Sequence, residues 1–468
     1  MIIHALNNFG AVSLSPRTKN IKDRELTNLA NIKPFRGYRY NTDKIGNMST
    51  VITPTKYNMG DEERLSLYER NEYNAVRLFD GMEYENDNEH NNKHTRAADY
   101  LETWIANDVL VRDDEETIYL YEETVEIHGT TFQNMTFVAL LELEELGEGA
   151  IRTCEEIREM SKQDRYDLLS ATNADMSMIS CLYTERDKHM LHLMTRLSGR
   201  KPDMEFDSAD AVMHQRLWRV TEPEYINRIV DAFKTLPLYI TDGQTRYETC
   251  VQYRNAMRKQ NPNHTGKEMY NYTMVSLINS NSDGVVLMPE HRKIKLPRGF
   301  SEEYFVGAVQ DRFKIEKIIV DGRDNAIAPT MKTQIQTKRL ETKFGVYSGR
   351  NYFYRLTLKD KDYIKKRLLP EMSEAYCGLD TVVLKHLVIN DVLGVRDEDY
   401  DDLVSTSISS TNCFEAVKDG TADVMIVMNP VKVEQIEKVT AAGEKLPFRT
   451  VSIFPKPSVG MVINLKED

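Results

Sequence analysis

The stretch Leu236-Pro237-Leu238-Tyr239-Ile240-Thr241-Asp242-Gly243-Gln244-Thr245-Arg246-Tyr247-Glu248-Thr249 constrains the fold more than any other part of the chain. A short apolar run stops at a polar turn, and a helical pattern starts at once. Such an order reads as a buried strand, a tight turn and the first turn of a helix, so sheet and helix must meet at one corner. A helix N-terminus at a strand end gathers backbone N–H groups and the positive end of the helix dipole, which suits an anion. Gly243 lets the backbone approach a phosphate closely. Thr245 offers a hydroxyl, and Arg246 a planar fork of donors. Asp242 suits either a metal ion or a cap on the helix. The alternative is an ordinary strand-turn-helix corner with a capping aspartate.

Similar layering recurs along the chain. Asp61 is expected to cap a helix running through Leu65 and Tyr68, and Arg77-Leu78-Phe79 reads as a strand. A long amphipathic helix is predicted over about 94–108, with Ala97, Tyr100, Leu101, Trp104 and Ile105 on one face. Segments 117–127 and 131–143 alternate like a hairpin around His128-Gly129. Strands are predicted at 179–183, 214–220, 272–278 and 285–288, and a helix at 222–233 with Pro223 in its first turn. Beyond residue 300 short strands and helices alternate with charged turns, including a helix over 378–392 and the solvated acidic run Asp397-Glu398-Asp399-Tyr400-Asp401-Asp402. Several strand pairs read as hairpins, so the class is α/β in mixed layers, not a doubly wound parallel sheet.

With 468 residues the chain exceeds one ordinary core. Residues 1–31 read as an N-terminal extension, 32–300 as a core carrying the Asp242–Arg246 turn, and 301–468 as a C-terminal α/β domain. No apolar run approaches the roughly 20 residues needed to cross a bilayer, and the N-terminus lacks the pattern of a signal peptide. The net charge of −12 argues against nucleic-acid or anionic-membrane binding through bulk charge. Cys154, Cys181, Cys250, Cys377 and Cys413 are scattered with no CxxC pair, which fits a reducing cytoplasm and argues against disulfides and structural zinc.

Taken in order, several segments resemble the bacterial and archaeal family known as domain of unknown function 1015. They are Pro34-Phe35-Arg36, Asn74-Ala75-Val76-Arg77-Leu78, the Ala97 to Trp104 helix with Val111-Arg112-Asp113, and Asp164-Arg165 with Ala171-Thr172. Leu217-Trp218-Arg219-Val220, the Asp242–Arg246 turn, Pro289 with His291-Arg292, Met428-Asn429-Pro430 and Phe454-Pro455-Lys456 complete the series. The family is distantly similar to the ParB/sulfiredoxin-like superfamily, whose free-serine kinases carry D-G-H-T-R-A at this turn. The resemblance implies a ParB/sulfiredoxin-like core with large insertions and a phosphotransferase moving a phosphoryl group between a nucleotide (ATP or ADP) and a small hydroxylated substrate such as serine or phosphoserine. It implies Mg²⁺ at Asp242, Glu155 as catalytic base, and phosphate contacts from Gly243, Gln244, Thr245 and Arg246. Arg36, His291 and Arg292 would add positive charge.

The chain departs from the family at telling places. Gln244 stands where the family and the kinases carry histidine, and Asn58 stands where the family carries aspartate. Cys154-Glu155-Glu156-Ile157 replaces H-E-x-T, and Pro289-Glu290-His291-Arg292 replaces P-T-H-R. Each exchange of His for Gln or Asp for Asn removes a titratable group and leaves an amide. These changes put catalysis in doubt and leave the anion pocket intact. The competing expectations are therefore a decayed binding or regulatory module and, from the ParB likeness, a nucleic-acid-binding protein that the acidic charge disfavours.

Overall fold

Ile118–Ile127 places Ile118 and Leu120 on one side and Tyr119 and Tyr121 on the other, all four with essentially no exposure. A strand buried on both faces needs a helical layer against each, and that requirement organises the fold. The computed structural model describes residues 30–467 apart from 56–58, 128–129, 146, 148, 157–159, 321–323 and 337–340. Most of the N-terminal extension, Asn58 and the His128-Gly129 turn therefore lie outside the described residues. The class is mixed α/β, and no described helix is long and apolar enough to cross a membrane.

The described residues form two compact units. One comprises residues 30–153, 160–286 and 453–467. Its nine-stranded mixed sheet runs Ile151–Thr153, Leu238–Asp242, Ile179–Tyr183, Tyr272–Asn279, Thr130–Glu142, Ile118–Ile127, Met213–Val220, Met204–Asp207, and Ile32–Lys33 adds to the Thr130–Glu142 strand. The predicted hairpin is present, with Tyr121 opposite Thr136 and Glu123 opposite Asn134. Helices His189–Ser198, Pro223–Phe233 and Gln244–Gln260 cover one face, burying Leu193, Phe233 and Val251 against Leu120, Phe137 and Leu277. The other face carries Tyr119, Tyr121, Val138 and Met274 and is covered by helix Lys93–Ala106 and the segment from Val459 to Ile463.

Three local expectations need correction. Val76–Phe79 is a single helical turn, not a strand, because the Asn74 side chain accepts the Val76 N–H at 3.0 Å and starts it. Gly60 occupies the N-cap of helix Asp61–Arg70, so Asp61 is its first helical residue. The 378–392 segment is broken: Glu374–Cys377 and Asp380–Val383 are short helices, and Leu384–Asn390 is π-helical.

The chain's C-terminal segment returns to this first unit. Strand Asn464–Leu465 pairs antiparallel with Ala174–Asp175. Lys466, with a fully buried side chain, donates to Asp175 at 3.0 Å, and Asp175 also accepts from Thr273, the Met274 amide and Asn464. Both charges are paired and carry further hydrogen bonds, Lys466 to the Tyr272 carbonyl, which offsets the cost of burying them.

The second unit comprises Cys154–Glu156 and Leu287–Ser452 among the described residues. Its six-stranded sheet is antiparallel throughout, in the order Phe313–Ile319, Tyr352–Leu358, Lys343–Tyr347, Val424–Val427, His291–Ile294, Val404–Ser407. Helices Ile327–Ile335 and Ser410–Lys418 pack on it through Met331, Ile335, Cys413 and Phe414. The acidic run 397–402 lies on its surface, with no buried residue.

Candidate functional site

Strand Leu238–Asp242 is buried along its whole length and ends at a bulge between Ile240 and Asp242. Gly243 then takes φ 83°, a left-handed conformation that glycine adopts without strain, and helix Gln244–Gln260 begins. A Cβ on Gly243 would lie 2.6 Å from Nη2 of Arg246, so the guanidinium folds back across the glycine. Arg246 Nη2 donates to Oδ2 of Asp242 at 3.0 Å and to the Met178 carbonyl at 2.9 Å. Oδ1 of Asp242 accepts from Lys456 Nζ at 2.7 Å.

Asp242 is thus not a helix cap. Gly243 holds the N-cap position, and the helix has no side-chain cap. The carboxylate, with only 6% of its side chain exposed, sits between two cations whose side chains are 12% and 25% exposed. Two positively charged side chains flank this one carboxylate, and the positive end of the helix dipole faces the same turn. Gln244 is buried in the first turn and Thr245 beside it is half-buried. The charge and the backbone geometry here are those that suit an anion.

Lys456 reaches Asp242 because its segment is held on both sides. Thr55 Oγ1 donates to the Pro457 carbonyl at 2.5 Å, and Thr53 and Val459 exchange backbone hydrogen bonds at 3.1 and 2.8 Å. Ser458 hydrogen-bonds the Tyr121 hydroxyl. Segments near residues 55, 242 and 456, far apart in sequence, therefore meet in one unit.

Further along the same sheet face lies Glu123, 1% exposed. The Tyr121 hydroxyl is 3.0 Å from its Oε1 and 2.5 Å from Gln215 Oε1. Burial pushes the Glu123 pKa up to about 7, with Tyr121 and Asn134 pulling the other way. Sequence reasoning passed over this residue. The signal was available, because period-two alternation in Ile118–Ile127 puts 119, 121, 123 and 125 on one buried face. Its neighbour Glu122 faces the other way and is paired with Arg216.

The remaining predicted residues lie elsewhere. Arg36 donates through Nε to the Asp113 carbonyl at 2.8 Å. It lines a pocket with Lys33, Arg112 and Glu116, which shares no residue with the pocket that Arg246 lines beside Arg165, Asp175 and Thr249. Glu155, His291 and Arg292 belong to the second unit. Glu155 Oε1 accepts the backbone amides of Thr450, at 2.7 Å, and Val451, bracing the turn in which Arg449 takes φ 62°. Burial nonetheless pushes its pKa up to about 8. His291 is fully buried on the strand next to the sheet's edge, with Nδ1 accepting the Met428 amide at 3.3 Å. Burial, then Lys332 and Arg292, lower its pKa to about 3, so it is a neutral imidazole. Arg292 donates to the carbonyls of Glu290 and, at 3.1 Å, Arg449, which makes it a brace of the backbone.

The donor set fits a phosphate better than a resident divalent cation. Both Asp242 oxygens already accept from cations, and no group of three His, Cys, Asp or Glu side chains suited to a metal occurs among the described residues.

A model of the family described as protein of unknown function, DUF1015, matches residues 32–382. No curated protein matches the chain. Among solved structures, a free serine kinase in complex with AMP aligns at 10% identity and TM-score 0.31 over 69% of this chain and 91% of its own. SbnI with C-terminal truncation from Staphylococcus aureus aligns at 12% identity and TM-score 0.32, covering 70% of this chain and 87% of its own. A conserved hypothetical protein from Pyrococcus furiosus aligns at 10% and 0.31, covering 69% and 93%. These scores are too low to establish a shared fold.

Proposed function

The chain belongs to the DUF1015 family, matched over residues 32–382, and from that premise we propose that it binds a nucleotide or another phosphorylated metabolite at the Asp242–Arg246 turn and transfers a phosphoryl group to a small hydroxylated substrate. The observation that carries this reading is the Lys456–Asp242–Arg246 cluster at a helix N-terminus without a side-chain cap. Phosphoryl transfer asks little covalent chemistry of a protein and much charge stabilisation and positioning. Arg246, Lys456 and the first-turn amides supply positive charge. Asp242 holds the two cations in place. Asp242-Gly243-Gln244-Thr245-Arg246 also differs from the kinase motif D-G-H-T-R only at its third position.

The resemblance assigns the base role to Glu155, but that residue belongs to the other compact unit and braces the Thr450 and Val451 amides there, so no step is assigned to it here. Mg²⁺ enters only through the resemblance, and no step here depends on it. Five buried thiols, none in a disulfide, fit a reducing compartment, and we place the protein in the cytoplasm.

Calorimetry with ATP and ADP on wild type and Arg246→Gln tests binding, and conversion of serine with ATP to phosphoserine tests transfer. Binding that is absent, or unchanged in Arg246→Gln, refutes the assignment. A second reading, a binding module without turnover, is favoured by one residue: Gln244 places an amide where a titratable imidazole would serve proton transfer. Gain of turnover in Gln244→His separates a decayed enzyme from a dedicated binder.

A further inference from the structure

Six polar atoms on one face of the nine-stranded sheet are buried without hydrogen-bond partners among the described residues: Ser180 Oγ, Ser276 Oγ, Thr136 Oγ1, Glu123 Oε2 and, opposite Glu123, Asn134 Oδ1 and Nδ2. Their residues are each 0–1% exposed. Register places them in sequence across the sheet. Asp242 pairs with Ser180, Ser180 with Ser276, Ser276 with Val138 two residues from Thr136, Thr136 with Tyr121, and Tyr121 lies two residues from Glu123. The row starts at the anion cluster and ends four strands away, roughly 19 Å at about 4.8 Å per strand. Lys456 pairs with Asp242 beside the row's start and Ser458 hydrogen-bonds Tyr121 near its end, so the 456–458 segment reaches both ends.

Buried polar groups in folded proteins are almost always satisfied, and each one left unpaired costs about 1–3 kcal/mol. Six on one face, continuous with a positively charged end, form one polar patch and not scattered single atoms. Hydroxyls both donate and accept, and the carboxyl accepts, so the complementary ligand surface is rich in hydroxyl groups. We propose that this row is the floor of a chamber for the hydroxyl-bearing part of a phosphorylated small molecule whose phosphate sits between Lys456 and Arg246. The inference rests on the anion-site reading above and adds to it the substrate class and the direction in which the substrate lies: phosphate at Asp242, hydroxyls over Ser180, Ser276 and Thr136, and the far end at Glu123. Glu123 acts there as the acceptor that sets the chamber's length.

The test uses the full chain, with inorganic phosphate, glycerol 3-phosphate and ribose 5-phosphate as probes. The variants are Thr136→Val/Ser276→Ala, the milder Ser180→Ala, and Arg246→Gln. Without ligand, the double variant unfolds a few degrees above wild type, because it removes unpaired hydroxyls from a buried face. Wild type binds at least one of the two polyol phosphates roughly tenfold or more tighter than inorganic phosphate. The double variant and Ser180→Ala lose most of that advantage while keeping phosphate affinity. A double variant or Ser180→Ala that unfolds below wild type, or polyol phosphates that bind no better than phosphate itself, overturns the chamber and leaves the anion site standing. Phosphate that fails to bind wild type, or binds Arg246→Gln equally well, overturns the anion site and the chamber together.

Discussion

Replacing Glu123 by glutamine keeps the shape and removes the charge, and the structure determines how stability should respond. Burial raises this carboxyl from 4.5 to about 7. At 1.36 kcal/mol per tenfold change, ionising it in the folded protein opposes folding by roughly 3 kcal/mol relative to the unfolded chain. A raised acid pKa means that the folded state holds the proton longer than the unfolded state does. Stability contributed by Glu123 is therefore present below pH 4.5, falls as pH rises towards 7, and stays low above it. Glutamine cannot titrate, so the variant escapes that loss. Urea unfolding of ligand-free wild type and Glu123→Gln, followed from pH 4 to 8, should show nearly equal stability at the acid end. The variant should then lead by roughly 1 kcal/mol at pH 5 and roughly 3 kcal/mol at pH 8. All other titrations cancel in the difference between the two proteins. A difference that does not grow with pH, or a wild type that is the more stable protein at pH 8, refutes a buried, poorly compensated carboxyl at this position.

Other outcomes follow from the same structure. On the proposed function, Lys456→Met should weaken nucleotide binding roughly tenfold or more by calorimetry while leaving the fold intact, since its side chain is partly exposed and pairs with Asp242. Gly243→Ala should lower stability by about 1–3 kcal/mol, because φ 83° disfavours any Cβ and the new atom meets Arg246; thermal unfolding reads it directly. Lys466→Met should destabilise by about 3–5 kcal/mol in chemical unfolding, since it leaves Asp175 charged and buried, and it should also weaken anion binding by loosening the segment that carries Lys456.

Much of the local architecture was legible along the chain. The corner from Leu238 to Arg246, the hairpin from Ile118 to Glu142 and the helix over Trp104 all declare themselves through periodicities set by nearby residues, and they stand as expected. Where reading failed, a local competitor won: at Val76–Phe79 a run that reads as a strand became a helical turn because Asn74 starts it. The charge at the turn is a different matter. Asp242 offered a choice between metal ligand and cap, and neither describes its neighbours. Those neighbours are Arg246 from its own helix and Lys456 from a segment more than two hundred residues later. Glu123 shows the same limit, because a glutamate in a strand becomes notable only when the sheet around it excludes water. Sequence by itself determined the mixed α/β class, the strand-turn-helix corner and the donor types placed there, since backbone preference and side-chain period act over a few residues. Only the tertiary structure decided which charges meet and which polar groups lose water, because both depend on strand pairing and burial between distant segments, whose partners no local pattern names.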